Sequence, residues 1–318
     1  MTALAIFGAR HRILRAHVTV AGCALALCVA SAAPADGDTS GTKPTVVLVH
    51  GAFADGSSWD GVISRLERSG YTVIAPANPL RGLYNDSTYI ASVLKSIKGP
   101  VVLAGHSYGG AVISSAAAGN PQVKSLVYVS ALMPDVGESG MSLAARFPSE
   151  LSTATRSVPY RESGRSGTDL YLKRDKVHQV FAADLPESEA NLLGVTQRPV
   201  ATTAFSEKAK VAAWKSIPSW ALVGRQDKTI NPEQERFQAK RAGAHTVEIN
   251  SSHVSLIAHP EAVTDLILQA AGASSAQSSL ATTGAVHDAR VEAGIAGASL
   301  VVGTGAVLLG RRLRRRLP

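Results

Sequence analysis

The most constraining feature of the sequence is a regular alternation of short apolar runs and helix-like segments between residues 43 and 272. The apolar runs are rich in valine and are bounded by glycine, proline or polar residues, as strands buried on both faces are. They cover residues 45–50, 71–76, 100–105, 123–132, 219–224 and 245–250. The helix-like segments cover residues 57–69, 87–98, 108–119, 232–241 and 260–271. This alternation predicts an α/β fold, with a mostly parallel sheet covered by helices on both faces.

The alternation stops over residues 134–205, where charged and turn-forming residues are more frequent. We expect this stretch to form a small helical cap, with short helices at residues 168–182 and 186–193. An insertion after a late strand of a parallel sheet lies near the carboxyl ends of the strands, where ligands bind. Four aromatic residues of the insertion are candidates for the wall of a modest apolar pocket: Phe147, Tyr160, Tyr171 and Phe181.

The segment VVLAGHSYGG, residues 101–110, places a serine between two glycines, after a strand and before a helix. It fits the G-x-S-x-G pattern of a nucleophile elbow, in which Gly105 and Gly109 leave room for a tight turn. The turn holds the Ser107 oxygen clear of the sheet, and the following helix points its amide dipoles toward a developing negative charge. The same turn directs the His106 side chain away from the pocket.

A nucleophilic serine needs a base and a residue that orients this base, and after an elbow they follow in the order acid, then histidine. Asp227 and His253 each come shortly after a predicted strand, so both reach the sheet edge where Ser107 lies. We expect His253 to take the Ser107 proton and Asp227 to fix the tautomer and stabilise the imidazolium. Alternatives remain: His259 as the base, Asp135 as the acid, or Asp227 as a cap of the following helix.

The segment VLVHGAF ends the first clear strand with His50 and Gly51. A glycine at this place lets backbone amides approach a substrate. We expect the backbone N–H of Ala52, or of Phe53, and that of Tyr108 to form an oxyanion hole. His50 is expected to brace this loop rather than to transfer protons.

Four segments, VLVHGAFADGSSW, GHSYGG, LVGRQDKTI and SSHVSLIAHPEAV, together resemble the α/β-hydrolase superfamily over residues 44–272. Within it the chain is similar to small bacterial esterases related to plant methylesterases and hydroxynitrile lyases. The resemblance implies a Ser107, Asp227 and His253 triad and no cofactor. No metal site is expected either. The lyase branch has a lysine after the catalytic histidine, where this chain has Val254, so cyanohydrin cleavage is not expected. The dehalogenase branch needs an aspartate at the position of Ser107, so dehalogenase activity is not expected.

These patterns predict a serine hydrolase that cleaves small-molecule carboxylic esters through an acyl-enzyme intermediate. An amidase or a lactonase would use the same triad. Two alternatives come from other classes of protein: a non-catalytic module that binds a ligand in the same fold, and a structural cell-wall protein.

The formal charge of +8 comes mainly from the ends of the chain: residues 1–32 carry +3 and residues 284–318 carry +4, so the remainder carries +1. Basic residues at the ends are typical of targeting signals, so no nucleic-acid partner is expected. Arginines up to Arg15 precede an apolar run, Val18–Ala33, that contains an A-x-A pattern. Residues 1–32 are therefore predicted to be a secretory signal peptide, with a buried helix as the alternative. Both cysteines lie in this segment, so no disulfide is expected in the mature chain.

Residues 273–292 are predicted to form a linker. An uncharged run over residues 293–310 and a basic tail over residues 311–318 follow it. The uncharged run would span roughly 27 Å as a helix, which is enough to cross a bilayer core. The basic tail would then stay on the cytoplasmic side.

The pentapeptide LATTG at residues 280–284 precedes this run. Together the three features resemble a sortase cell-wall sorting signal of the L-A-x-T-G type. The resemblance implies that a transpeptidase cleaves between Thr283 and Gly284 and joins Thr283 to the cell wall. We expect export and attachment to the wall or membrane on the outer face of a bacterial cell, with a plain membrane anchor as the alternative.

Overall fold

The computed structural model describes residues 42–162 and 164–272. The predicted signal peptide (1–32), the linker with the motif at 280–284, the apolar run (293–310) and the basic tail (311–318) lie outside the described residues and stay predictions. Within the two described ranges, no helix has the length and apolar character needed to cross a bilayer.

A central sheet of six parallel strands organises the fold. The strands are β1 (Thr45–Val49), β2 (Val73–Ile74), β3 (Val101–His106), β4 (Val123–Val129), β8 (Ser219–Gly224) and β9 (His245–Ile249). Their order across the sheet is β2-β1-β3-β4-β8-β9, and all neighbours run parallel. The central strand β3 is buried at every position, so both of its faces are covered. This agrees with the valine-rich runs of the sequence and confirms the predicted sheet.

Helices connect the strands and cover the sheet. The main ones are α1 (Asp60–Arg68), α2 (Leu83–Ser96), α3 (Tyr108–Ala116), α9 (Pro232–Ala242), α10 (Ser255–Ala258) and α11 (260–272). Helix α2 packs on α3, and α1 packs on α10. Helix α1 turns Val62 and Leu66 into the core while its charged residues face solvent.

A cap is inserted between β4 and β8, as expected from the break in the alternation. It contains α4 (Gly140–Arg146), α5 (Leu151–Ala154), β5 (Thr155–Glu162), β6 (Arg165–Leu172), α6 (Arg174–Lys176), a π-helical turn (Val177–Phe181), α7 (Glu187–Thr196), β7 (Val200–Ala201) and α8 (Thr203–Ser206). The strands form a separate antiparallel sheet in the order β5-β6-β7. The expectation of a small helical cap is therefore wrong in part, because the predicted helix at 168–182 is a strand up to Leu172.

The strand pair in the cap depends on contacts across the hairpin. Gly167, which weakens any strand prediction, lies directly opposite Tyr160. A Cβ on Gly167 would lie 2.6 Å from the Tyr160 ring, so the ring covers the space that the glycine leaves. An aromatic residue that covers a glycine on the neighbouring strand stabilises the pair. A local sequence pattern does not show this pairing.

Candidate active site

The elbow around Ser107 is a sharp turn between β3 and α3. Ser107 has φ 53° and ψ −124°, which is a conformation that residues with side chains rarely adopt. A Cβ on Gly105 would lie 2.6 Å from the Gly109 carbonyl oxygen, and a Cβ on Gly109 would overlap the Val49 oxygen. Close backbone packing therefore requires glycine on both sides of the serine.

Three polar side chains that are far apart in sequence meet beside this turn. His253 Nε2 lies 2.8 Å from Ser107 Oγ, and His253 Nδ1 lies 2.6 Å from Asp227 Oδ2. The exposed fractions of Ser107, His253 and Asp227 are 6 %, 0 % and 4 %. When Nδ1 donates to the carboxylate, Nε2 carries the lone pair that can accept the serine proton. The structure thus brings together the serine, histidine and acid that the sequence patterns select.

The Asp227 carboxylate is held on the side away from the histidine. Its Oδ1 accepts hydrogen bonds from the backbone N–H of Thr229 at 2.7 Å and of Ile230 at 2.9 Å, which leaves Oδ2 for His253. The residue that caps α9 is Asn231. Asp227 is therefore not the cap of that helix, and its side chain is oriented for the histidine.

A second carboxyl group, that of Glu235, is buried close to Asp227. Burial and the negative charge of Asp227 raise the pKa of Glu235 well above its usual range. Two ionised carboxylates that are close together and shielded from water repel each other, which favours the protonated form of Glu235. Its Oε2 accepts a hydrogen bond from the Gly224 N–H at 3.3 Å.

The loop after β1 passes close to the nucleophile. A Cβ on Gly51 would lie 2.7 Å from Ser107 Cβ, so the close approach requires glycine. Across the described residues, no protein acceptor pairs with the backbone N–H of Ala52, Phe53 or Tyr108. Buried N–H groups are normally paired, so three without a protein acceptor are exceptional. Each of these donors is therefore available to a substrate oxygen.

His50 holds this loop in place. Its Nδ1 donates to the Gly51 carbonyl oxygen at 2.9 Å, and its Nε2 accepts from the Asn78 N–H at 2.9 Å. The Asn78 side chain donates in turn to the His50 carbonyl oxygen at 3.1 Å. Burial lowers the pKa of His50 to about 4. The ring is therefore neutral near pH 7, and both of its nitrogens are occupied by loop backbone.

Residues on both sides of Ser107 support the site. His106 Nε2 donates to the His253 carbonyl oxygen at 3.0 Å. Burial and the neighbouring His253 ring lower the pKa of His106 well below its usual range. The Tyr108 hydroxyl donates to the buried carboxylate of Asp86 at 2.8 Å. These contacts fix the backbone of the histidine loop and the first turn of α3.

The two alternative residues lie in other surroundings. His259 has a side chain that is 36 % exposed, and its Nε2 lies 3.6 Å from Asp184 Oδ2. Asp135 forms an ion pair with Lys215 at 2.5 Å. Both are engaged away from the Ser107 side chain, so the geometry favours His253 and Asp227 over them.

A cavity of about 430 Å³ lies next to the triad: its wall contains His106 and Val254, the chain neighbours of Ser107 and His253, but none of the three triad residues. Phe53 and Phe181 also belong to this wall. His106 contributes to it although the sequence predicts that its side chain points away from the pocket. The Phe181 ring centre lies 5.1 Å from that of His253. A larger cavity, of about 1060 Å³, lies between α2 and the segment 207–211, and its wall contains none of these residues. Proximity to the triad makes the smaller cavity the candidate substrate site.

Of the four aromatic residues expected in the pocket wall, Phe181 lines this cavity. The other three pack on neighbouring side chains: Phe147 on Phe237, Tyr160 on Arg81 and Tyr171 on Arg156.

Sequence patterns do not single out Glu235 or Asp184, whose carboxylate contacts the two residues before His253. Both lie in segments with several charged residues, where one further acidic residue does not indicate a functional role. Only the packing shows that they are next to the triad.

A parallel sheet that carries a serine on a sharp strand-to-helix turn, followed along the chain by an acid and a histidine, defines the α/β-hydrolase class. The described residues contain no group of metal-ligating side chains arranged to hold an ion. The model of the alpha/beta hydrolase family matches residues 46–266, which is more than half of the chain. The chain belongs to this family.

Several named relatives are hydrolases or esterases, and another is the salicylic acid-binding protein 2 of Nicotiana tabacum. The chain is 29 % identical to the alpha/beta hydrolase nvfD of Aspergillus novofumigatus, over 72 % of this chain and 97 % of the relative. It is 36 % identical to the carbendazim hydrolyzing esterase of a Nocardioides species, over 33 % of this chain and 50 % of the relative. Among solved structures, polyneuridine aldehyde esterase is similar with a TM-score of 0.63 and 22 % identity, over 71 % of this chain and 98 % of that chain.

Proposed function

We propose that this protein is a serine hydrolase that cleaves carboxylic esters of small molecules. The observation that carries the proposal is the continuous hydrogen-bonded path from Ser107 through His253 to Asp227, with distances of 2.8 and 2.6 Å. An esterase among the relatives supports the reaction class.

In the proposed reaction, Ser107 Oγ attacks the ester carbonyl carbon while His253 Nε2 takes the hydroxyl proton. The carbonyl oxygen becomes negative and accepts hydrogen bonds from the backbone N–H of Tyr108 and of Ala52 or Phe53. The carbon–oxygen bond then breaks, and the alcohol leaves with the proton from His253. Water, deprotonated by the same imidazole, attacks the acyl-enzyme and releases the acid.

The cavity beside the triad supports a substrate with a modest apolar part. Phe53 and Phe181 face each other edge to face at 6.2 Å, and Phe181 also packs at 5.1 Å from the His253 ring. A part of the ester that lies against these rings would be shielded from water near the reacting carbonyl.

The reaction class is tested with matched p-nitrophenyl esters of rising chain length, the corresponding anilides, and lactones, together with a fluorophosphonate that labels nucleophilic serines. We expect labelling of one serine and hydrolysis of short esters, with much slower turnover of anilides. Labelling with faster turnover of anilides or lactones would indicate an amidase or a lactonase. A chain that neither labels nor turns over any substrate would be a binding module and would contradict the proposal.

We also propose that the protein is exported and attached to the cell surface through its C-terminal part. The support is the order of LATTG (280–284), the uncharged run and the basic tail, all outside the described residues. A sorting signal would be cut after Thr283, so detergent should leave the protein in the wall and wall-degrading enzymes should release it. Changing Thr283 and Gly284 to alanine should move it to the membrane fraction. Surface protein that retains residues 285–318 in mass spectra would contradict wall attachment.

A further inference from the structure

One short piece of the cap reaches both loops that carry the triad. We name residues 180–184 the brace segment; it begins in the π-helical turn and ends at Asp184. The Val180 carbonyl oxygen accepts a hydrogen bond from the Thr229 hydroxyl at 2.9 Å. Thr229 also donates its backbone N–H to Asp227, so the brace segment touches the aspartate loop directly. Single π-helical turns of this kind are frequently found at functional sites.

The other end of the brace segment holds the histidine loop. Asp184 Oδ2 accepts from the Ser251 hydroxyl and from the Ser252 N–H, both at 2.8 Å. Asp184 Oδ1 accepts from the Ser252 hydroxyl in a short hydrogen bond. These two serines come directly before His253, so three donors on its loop converge on one carboxylate.

The same loop is joined to the aspartate loop. The Ser251 carbonyl oxygen accepts from the Gln226 N–H at 3.0 Å, and Gln226 precedes Asp227. A chain of hydrogen bonds therefore runs from the Asp184 carboxylate through Ser251 to the backbone beside Asp227. Loss of the Asp184 carboxylate would release the histidine loop, which holds the His253 imidazole in place.

The Asp184 carboxylate is well suited to this task. Its side chain is only 17 % exposed. Although partial burial by itself would raise the pKa of Asp184, hydrogen bonds from Ser252 and Ser251 hold the pKa below its usual value. Hydrogen bonds to an ionised acceptor are about twice as strong as those between neutral groups.

We propose that Asp184 is a positioning residue: through its hydrogen bonds to Ser251 and Ser252, the cap holds the histidine loop so that His253 stays in line with Ser107. The proposal rests on the proposed serine-hydrolase function. It adds that the cap, besides covering the substrate cavity, is part of the support of the triad.

Two substitutions separate the hydrogen bonds from the charge. Asp184→Ala removes all three acceptor contacts. Asp184→Asn can keep two of these contacts and reverse the third: the amide oxygen can replace Oδ2, and the amide nitrogen can donate to the Ser252 hydroxyl after that hydroxyl rotates. The matched control is Asp169→Ala, which breaks another ion pair between cap and body, with Arg81 at 2.8 Å, away from the histidine loop.

We expect folded Asp184→Ala to lose kcat on the order of tenfold to hundredfold, as small misplacements of catalytic groups do, with KM changed by less than about threefold. Fluorophosphonate labelling of Ser107 should slow in parallel. Asp184→Asn and Asp169→Ala should each keep kcat within about threefold of the wild type. If Asp184→Ala does not fold, the double change Ser251→Ala and Ser252→Ala, which removes the two hydroxyl donors, should show the same loss of kcat.

Three results would overturn the proposal: wild-type kcat in folded Asp184→Ala, equal losses in Asp184→Ala and Asp169→Ala, or a loss in Asp184→Asn as large as that in Asp184→Ala. The second would indicate general loosening of the cap, and the third would indicate an effect of charge. Failure of the hydrolase function itself is distinct, because the wild-type chain would then not be labelled at Ser107.

Discussion

Replacement of Ser107 by alanine should lower ester hydrolysis on the order of 10³-fold or more and abolish fluorophosphonate labelling, with little change in melting temperature. The serine oxygen forms the covalent intermediate, so no neighbouring group can replace it. The backbone at this position is set by the close packing of Gly105 and Gly109, which alanine does not disturb. Initial rates on a short p-nitrophenyl ester and a thermal melt measure the two quantities.

Ser115→Ala is the matched control, since Ser115 lies on the same helix, α3, and lines the larger cavity, whose wall contains no residue of the triad. It should keep wild-type turnover. Near wild-type hydrolysis by folded Ser107→Ala would show that another group performs the reaction, and the proposed mechanism would have to be abandoned.

His253→Ala should lose as much activity as Ser107→Ala, because the members of a triad act as a unit and their losses do not add. Asp227→Asn should lose less but still more than about 10²-fold. The amide can donate to Nδ1, and the imidazole would then present an N–H to Ser107 instead of a lone pair. Full kinetic analysis of the two single variants and of the double variant measures this non-additivity.

His259→Ala tests the alternative base. Its ring is partly exposed and faces Asp184, so the substitution should cost no more than a few-fold in kcat. If His259→Ala were the inactive variant and His253→Ala kept its turnover, the assignment of the base would be wrong.

For the pair of His253 and Asp227, a double variant whose loss equals the product of the two single losses would show that the two residues act independently.

The cap contributes two residues that lie close to the triad. It supplies Phe181, which packs on the His253 ring and lines the adjoining cavity. It also supplies Asp184, which bonds to the loop that carries the histidine. Substitutions in the cap can therefore change turnover as well as substrate choice, and measuring kcat and KM separately distinguishes the two effects.

Some features of this protein follow from short-range rules that can be read along the chain. Valine-rich runs between helical segments predict a parallel sheet, because a strand buried on both faces is apolar at nearly every position. The G-x-S-x-G turn is a local steric requirement, which the contacts of Gly105 and Gly109 explain. The carboxyl ends of parallel strands meet at one edge, so the positions of Asp227 and His253 after their strands suffice to select them as candidates.

Other features arise only from contacts between distant parts of the chain. The strand pair that replaces a predicted helix in the cap is formed by pairing across the hairpin, where Tyr160 covers Gly167. The raised pKa of Glu235 depends on burial beside Asp227. The role proposed for Asp184 depends on a fold that brings it to Ser252, 68 positions further along the chain. A charged residue has the same appearance in a sequence whether it faces water or a buried partner. Its surroundings set its pKa and its hydrogen bonds, and those surroundings exist only once the chain has folded.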